Sequence, residues 1–239
     1  MLDRIYAYGS QKLFSEIALE AVKRWNIDAS QVHHDTTSVS VWGDYAHSSG
    51  GPFEINHGNS QDKRPDLIQF VMSQLCVEKD IPIETKIYSG NEDDKTISKG
   101  ILRRISSSMA DYGRDGREFI YIGDCSMVTE ANLTFMGGRD KPKVRFISRM
   151  PATFNLVNAL ITEAVSQNRW TDIGQLGEEN QEDRASYRSY EKEMSIGTNR
   201  YRVAVIHSDF YDRRKQKSLD RKIQKDLIPW CLAPITCNL

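Results

Sequence analysis

A chain of 239 residues has the length of one large domain or one and a half small ones, enough to bury a proper core. Its 39% hydrophobic and 27% charged content is that of an ordinary globular protein, and a net charge of −1 does not advertise nucleic-acid binding. No apolar run approaches the roughly 18 residues of a membrane span. Met1-Leu2-Asp3-Arg4 has no basic flank leading into an apolar stretch, so no signal peptide is expected. Four scattered cysteines (Cys76, Cys125, Cys231, Cys237) form no CxxC pair, which points to reduced thiols in a cytoplasmic protein rather than a zinc site.

From the N-terminus, Leu13, Phe14, Ile17, Ala18, Ala21, Val22 and Trp25 fall on one face of a helix predicted over 10–25, with Ser10 as its N-cap. A β-branched run over about 31–42 follows and contains His33, His34 and Asp35. The Gly- and His-rich stretch from Ala46 to Ser60 reads as an exposed loop or hairpin. Leu67–Val77 and Ile83–Tyr88 read as two further strands. Ser89-Gly90-Asn91 then turns into a helix opened by Glu92, Asp93 and Asp94, acids that suit its dipole, with Ile97, Ile101, Ile105 and Met109 at successive i+4 steps. A strand at Phe119–Ile122 ends just before Asp124. A helix from about Thr129 to Met136, stopped by Gly137 and Gly138, leads to a strand at Val144–Ser148 and a helix over about 155–167.

Charge divides near the C-terminus. Residues 172–193 hold seven acids against three bases, and residues 200–225 hold nine bases against three acids. Tyr201–His207 is a last strand candidate before the basic run Arg213–Lys225. A basic stripe beside a neutral body suits phosphate contacts, although a solvated helix face has the same composition.

Asp35 and Asp124 each sit in or at the end of a run that reads as a buried strand. A buried carboxylate is costly unless it is paired, hydrogen-bonded or bound to a metal. Two of them on strands form a candidate Mg²⁺ site, since Mg²⁺ takes a couple of carboxylates with water and phosphate oxygens. The competing expectation is that each caps a strand end or holds a turn. Three antiparallel strands followed by alternating helices and parallel strands is the order of the ribonuclease-H-like fold. There the first and fourth strands adjoin, which would bring Asp35 to Asp124. The expected class is therefore α/β, a ribonuclease-H-like mixed sheet flanked by helices, with the start of a β-rich insertion domain.

Four linked segments, His34-Asp35-Thr36-Thr37-Ser38, His57-Gly58 through Lys63-Arg64-Pro65-Asp66-Leu67, Ser89-Gly90-Asn91-Glu92-Asp93-Asp94 and Ile122-Gly123-Asp124, resemble the core of DDE transposases. The nearest branch is the IS4-like superfamily, IS1634-type insertion-sequence transposases, and the resemblance runs to about Lys225. It implies that Asp35 and Asp124 are the first two acids of the catalytic triad and ligands of Mg²⁺ or Mn²⁺, in metal-dependent strand cleavage and transfer at insertion-sequence ends. It implies a DNA partner, a homodimer in a complete transposase, and a nucleoid-associated cytoplasmic location. Lys63, Arg64, Arg213 and Arg214 are the candidate DNA contacts, with a salt bridge in a solvated loop as the alternative for the first two. Asn91 and Asp94 are expected to fix a turn and a helix start, and His33 and His34 to support Asp35 or simply to pack.

The resemblance divides the chain into a helical lead-in (1–30), a catalytic core (31–151), a partial insertion (152–207) and a basic helix with a divergent tail (208–239). No match to the family's final glutamate helix follows Lys225, where Pro229 and Pro234 interrupt the text, so the expectation is a copy truncated before the third acid. Glu163, on the helix over 155–167, is a substitute by spacing alone. The alternative function is an inactive remnant that only binds DNA; an unrelated metal-dependent nuclease of similar fold ranks third.

Overall fold

Every second residue of Ile68–Val77 is buried (Gln69, Val71, Ser73, Leu75, Val77), and this alternation marks a strand with one face on the core. The computed structural model describes residues 1–43, 45, 51–59, 64–114, 118–137, 143–176 and 184–231, with side chains at all of these but 211–213 and 224–231. The described chain forms two units, Met1–Phe154 with Ile196–Asn199, and Asn155–Ser195 with Arg200–Leu239.

The first unit is built on five strands: β1 (Gln31–Val41), β2 (Ile68–Val77), β3 (Ile81–Ser89), β4 (Ile120–Gly123) and β5 (Arg145–Ser148). Their spatial order is β3-β2-β1-β4-β5; β1 to β3 pair antiparallel, and β4 and β5 join parallel to β1. This mixed α/β sheet flanked by helices is ribonuclease-H-like, as the element order predicts. Its helices are α1 (Leu2–Tyr8), α2 (Ser10–Trp25), α3 (Asp94–Ala110) and α4 (Glu130–Met136).

α3 lies across the core face of the sheet. Its residues Ile97, Ile101, Ile105 and Met109 are buried as the i+4 spacing predicts. Hydrogen bonds tie it along its length: Thr36 donates to Asp94, Arg104 donates to Glu84, and the Tyr112 hydroxyl donates to the Ile83 carbonyl. The helix over 10–25 buries a narrower face than its periodicity suggests. Ala18 and Val22 are covered, while Ile17 and Trp25 are exposed. The seven-residue α1, within the expected helical lead-in, has no buried side chain.

The loop segment ahead of β2 closes against the turn after β3. Gln69 and Asn56 exchange backbone hydrogen bonds, and the Gln69 side chain donates to the Gly90 carbonyl. A Cβ at Gly58 would sit 1.8 Å from the Gly90 oxygen, and one at Gly90 would sit 2.0 Å from the Gln69 oxygen. Both positions require glycine because backbone passes backbone there. Two of the four resemblance segments therefore meet in space.

The second unit holds α5 (Leu156–Gln167), an antiparallel sheet of β6 (Thr171–Leu176), β7 (Ala185–Ile196) and β8 (Asn199–Ser208), and α6 (Asp209–Cys231). α6 runs past Pro229, so the helix continues beyond the point where the sequence suggested a break. No helix among the described residues is long and apolar enough to cross a membrane.

Candidate metal centre

β1 alternates sharply: Val32 and His34 are buried, and Gln31, His33 and Asp35 are exposed. Asp35 thus faces outward, on the side of the sheet away from α3. Asp124 lies one residue beyond β4 and is exposed too. The expectation of two buried carboxylates is corrected: the period of two that makes β1 a strand sends its histidine inward and its aspartate out.

The strand register sets β1 directly beside β4. β1 and β4 pair in parallel, with Val32 opposite Tyr121 and His33 opposite Ile122. Continued by two steps, this register sets Asp35 level with Asp124. Each carboxylate is oriented by its own backbone. Asp35 Oδ1 accepts from the Thr36 N–H at 2.9 Å. Asp124 Oδ1 accepts from the Ser126 N–H at 2.9 Å and the Ser126 hydroxyl at 2.6 Å, capping the 3-10 turn Cys125–Met127. Asp124 therefore does hold a turn, and its Oδ2 has no hydrogen bond among the described residues.

Hard carboxylate oxygens suit Mg²⁺ or Mn²⁺, which completes its shell with water and substrate phosphate. Among the described residues, no group of three or more His, Cys, Asp or Glu side chains is arranged to hold an ion. Cys76 lines a groove of about 370 Å³ with His33, His34, Asp35 and Asp80. Burial, reinforced by Asp80 and Asp35, raises its pKa.

Beneath the acids, on the core face, lies a polar relay that the sequence did not disclose. The His34 ring is 7% exposed. Its Nδ1 is 2.9 Å from the Tyr121 hydroxyl and its Nε2 is 3.1 Å from the Ser73 hydroxyl. His34 and Tyr121 also stack, with centroids 6.0 Å apart and planes at 20°. Burial lowers the His34 pKa to about 4 against the opposing pull of Asp35 and Asp124. Burial raises that of Tyr121, with Asp124 adding to the shift and Arg104 opposing it. The ring is accordingly neutral, one nitrogen donating and the other accepting.

The remaining candidates are dispersed. Arg64 makes a bidentate pair with Asp66, at 2.7 and 2.8 Å. Lys63 and the Arg213 side chain lie outside the described residues. Arg214 is exposed on α6. The basic stripe is not continuous: on β8, Arg200 pairs with Glu193 at 2.6 Å and Arg202 with Glu191 at 3.8 Å. Glu163 belongs to the second unit, where both its oxygens meet Lys192 Nζ at 2.8 Å and one accepts from the Tyr190 hydroxyl. Those donors, Lys192 foremost in the Lys192–Tyr190 pair, lower its pKa. Arg149 was missed by the sequence reading: it follows β5, and its Nη2 lies 3.6 Å from Cys125 Sγ, beside the Asp124 turn.

The chain matches no family model and no curated protein. Among solved structures it is similar to a chain of the Mos1 transposase paired-end complex with left transposon end, at 12% identity and a TM-score of 0.32. The alignment covers 65% of this chain and 47% of that one, so the chain spans about half the length of that protein.

Proposed function

We propose that this chain is a DNA transposase of the DDE type, related to the IS4-like, IS1634-type insertion-sequence enzymes, acting in strand cleavage and transfer. The observation that carries the reading is the β1–β4 register, which sets Asp35 level with Asp124 on a ribonuclease-H-like sheet. The four sequence segments that resemble that family add support. In this reading residues 31–151 are the catalytic core, 152–207 belong to an insertion and 208–239 carry the basic helix. The third acid of the triad is assigned to no described residue.

Asp35 and Asp124 are the residues that would hold Mg²⁺ or Mn²⁺. When bound, such ions make a water or 3′-hydroxyl a better nucleophile and stabilise the leaving oxygen of a phosphodiester. The chain's own part is orientation. Thr36 N–H fixes Asp35, and the Ser126 N–H and hydroxyl fix Asp124, so each carboxylate is aimed before any ligand arrives. Lys63, Arg64, Arg213 and Arg214 are proposed as phosphate contacts, in a DNA complex that a homodimer completes at the insertion-sequence ends, in the nucleoid.

The test is cleavage of terminal-repeat DNA in Mg²⁺ or Mn²⁺ by the wild type and by Asp35→Asn and Asp124→Asn. Metal-dependent nicking lost in both variants supports the enzyme. Salt-sensitive retention of DNA with no nicking by the wild type favours the inactive, DNA-binding remnant.

A further inference from the structure

We propose that Ser73, His34 and Tyr121 form a positioning relay that sets the spacing between the Asp35 and Asp124 carboxylates. The inference rests on the two-acid metal centre proposed above and extends it to the layer beneath.

The relay crosses three adjacent strands in one line, β2 through Ser73, β1 through His34 and β4 through Tyr121. Its end members are more deeply buried than the ring: Tyr121 is 0% and Ser73 3% exposed. His34 immediately precedes Asp35, and Tyr121 is the residue of β4 whose Cα pairs with Val32. The bonds therefore clamp β1 to β4 directly under the carboxylates. β4 is a four-residue strand with three described residue pairs to β1, and the relay adds side-chain bonds to that short ladder. Arg104 of α3, paired with Glu84, borders the relay and holds the helix over it.

His34 borders the groove, but both its ring nitrogens are engaged by Ser73 and Tyr121, and Tyr121 is fully buried; in this proposal the two residues act by positioning Asp35 and Asp124. Groups that orient metal-binding residues typically change metal affinity by about 10- to 100-fold when removed.

The experiment is a Mn²⁺ titration followed by electron paramagnetic resonance on the full chain, with far-UV circular dichroism confirming the fold. Wild type, Asp35→Asn, Tyr121→Phe and Ser73→Ala are compared. Tyr121→Phe removes one hydroxyl and nothing else from the site's underside, and about tenfold weaker Mn²⁺ binding is expected from the folded protein. If Tyr121→Phe does not fold, Ser73→Ala at the other end of the relay decides the matter with the same expected direction. Folded variants that are less stable but bind Mn²⁺ as tightly as wild type overturn the inference and leave the relay as mere packing. Wild-type affinity in Asp35→Asn overturns the metal centre itself, a result distinct from failure of the relay.

Discussion

The buried His34 makes the stability of this protein depend on pH in a calculable way. Its pKa in the folded chain is about 4, against 6.5 for a free histidine. Because the folded value is depressed, the unfolded chain binds the extra proton between these limits, and stability falls as pH drops through that window. It is fully present above about pH 7 and fully lost below about pH 4. Linkage gives a loss of about 2 kcal/mol between pH 8 and pH 5, approaching about 3 kcal/mol at the lower limit. The assay is urea unfolding at a series of pH values in EDTA, which keeps metal binding out of the comparison. His34→Gln, which retains hydrogen-bonding capacity but does not titrate, is the reference. The wild type should lose about 2 kcal/mol more than His34→Gln over that range. Identical pH dependence in the two proteins would refute the placement of His34 as a buried neutral ring.

Gly90→Ala should destabilise the first unit by about 3 kcal/mol or more in urea unfolding, because its Cβ would meet the Gln69 oxygen at 2.0 Å; a near-neutral result would show that this backbone crossing is loose. Glu163→Gln should leave Mn²⁺ affinity unchanged, since its carboxylate is taken by Lys192 and Tyr190; a severalfold weakening would make it a ligand after all. Arg214→Ala should lower the slope of log binding constant against log salt for duplex DNA by about 0.9, the contribution of one phosphate contact. An unchanged slope would remove Arg214 from the interface.

The elements that carried a long apolar period were legible in the sequence. The i+4 isoleucines marked α3, and the continuous apolar-rich run over 67–77 marked β2, although hydropathy did not show that its buried face includes Gln69 and Ser73. The strands β6 and β7 were not placed individually: in β7 the burial does not alternate, with Ser189 and Tyr190 buried side by side and Glu191 and Glu193 exposed, so no period of two marks it. That β1 and β4 adjoin was legible from element order, because topology decides which strands are neighbours. The exposure of Asp35 was not. It depends on the phase of the alternation in β1, and a run of polar β-branched residues does not declare which phase is buried. For the same reason the inward histidine and its contacts with Ser73 and Tyr121 stayed hidden: those bonds join residues distant in sequence, with no local spacing to mark them.

The most direct measurement is a crystal structure of the protein grown with Mn²⁺, using anomalous scattering to locate the ion. The account predicts a single strong peak about 2 Å from a carboxylate oxygen of Asp35 and from one of Asp124. Well-ordered carboxylates at 35 and 124 with no ion between them, or with the ion bound by only one, would contradict it.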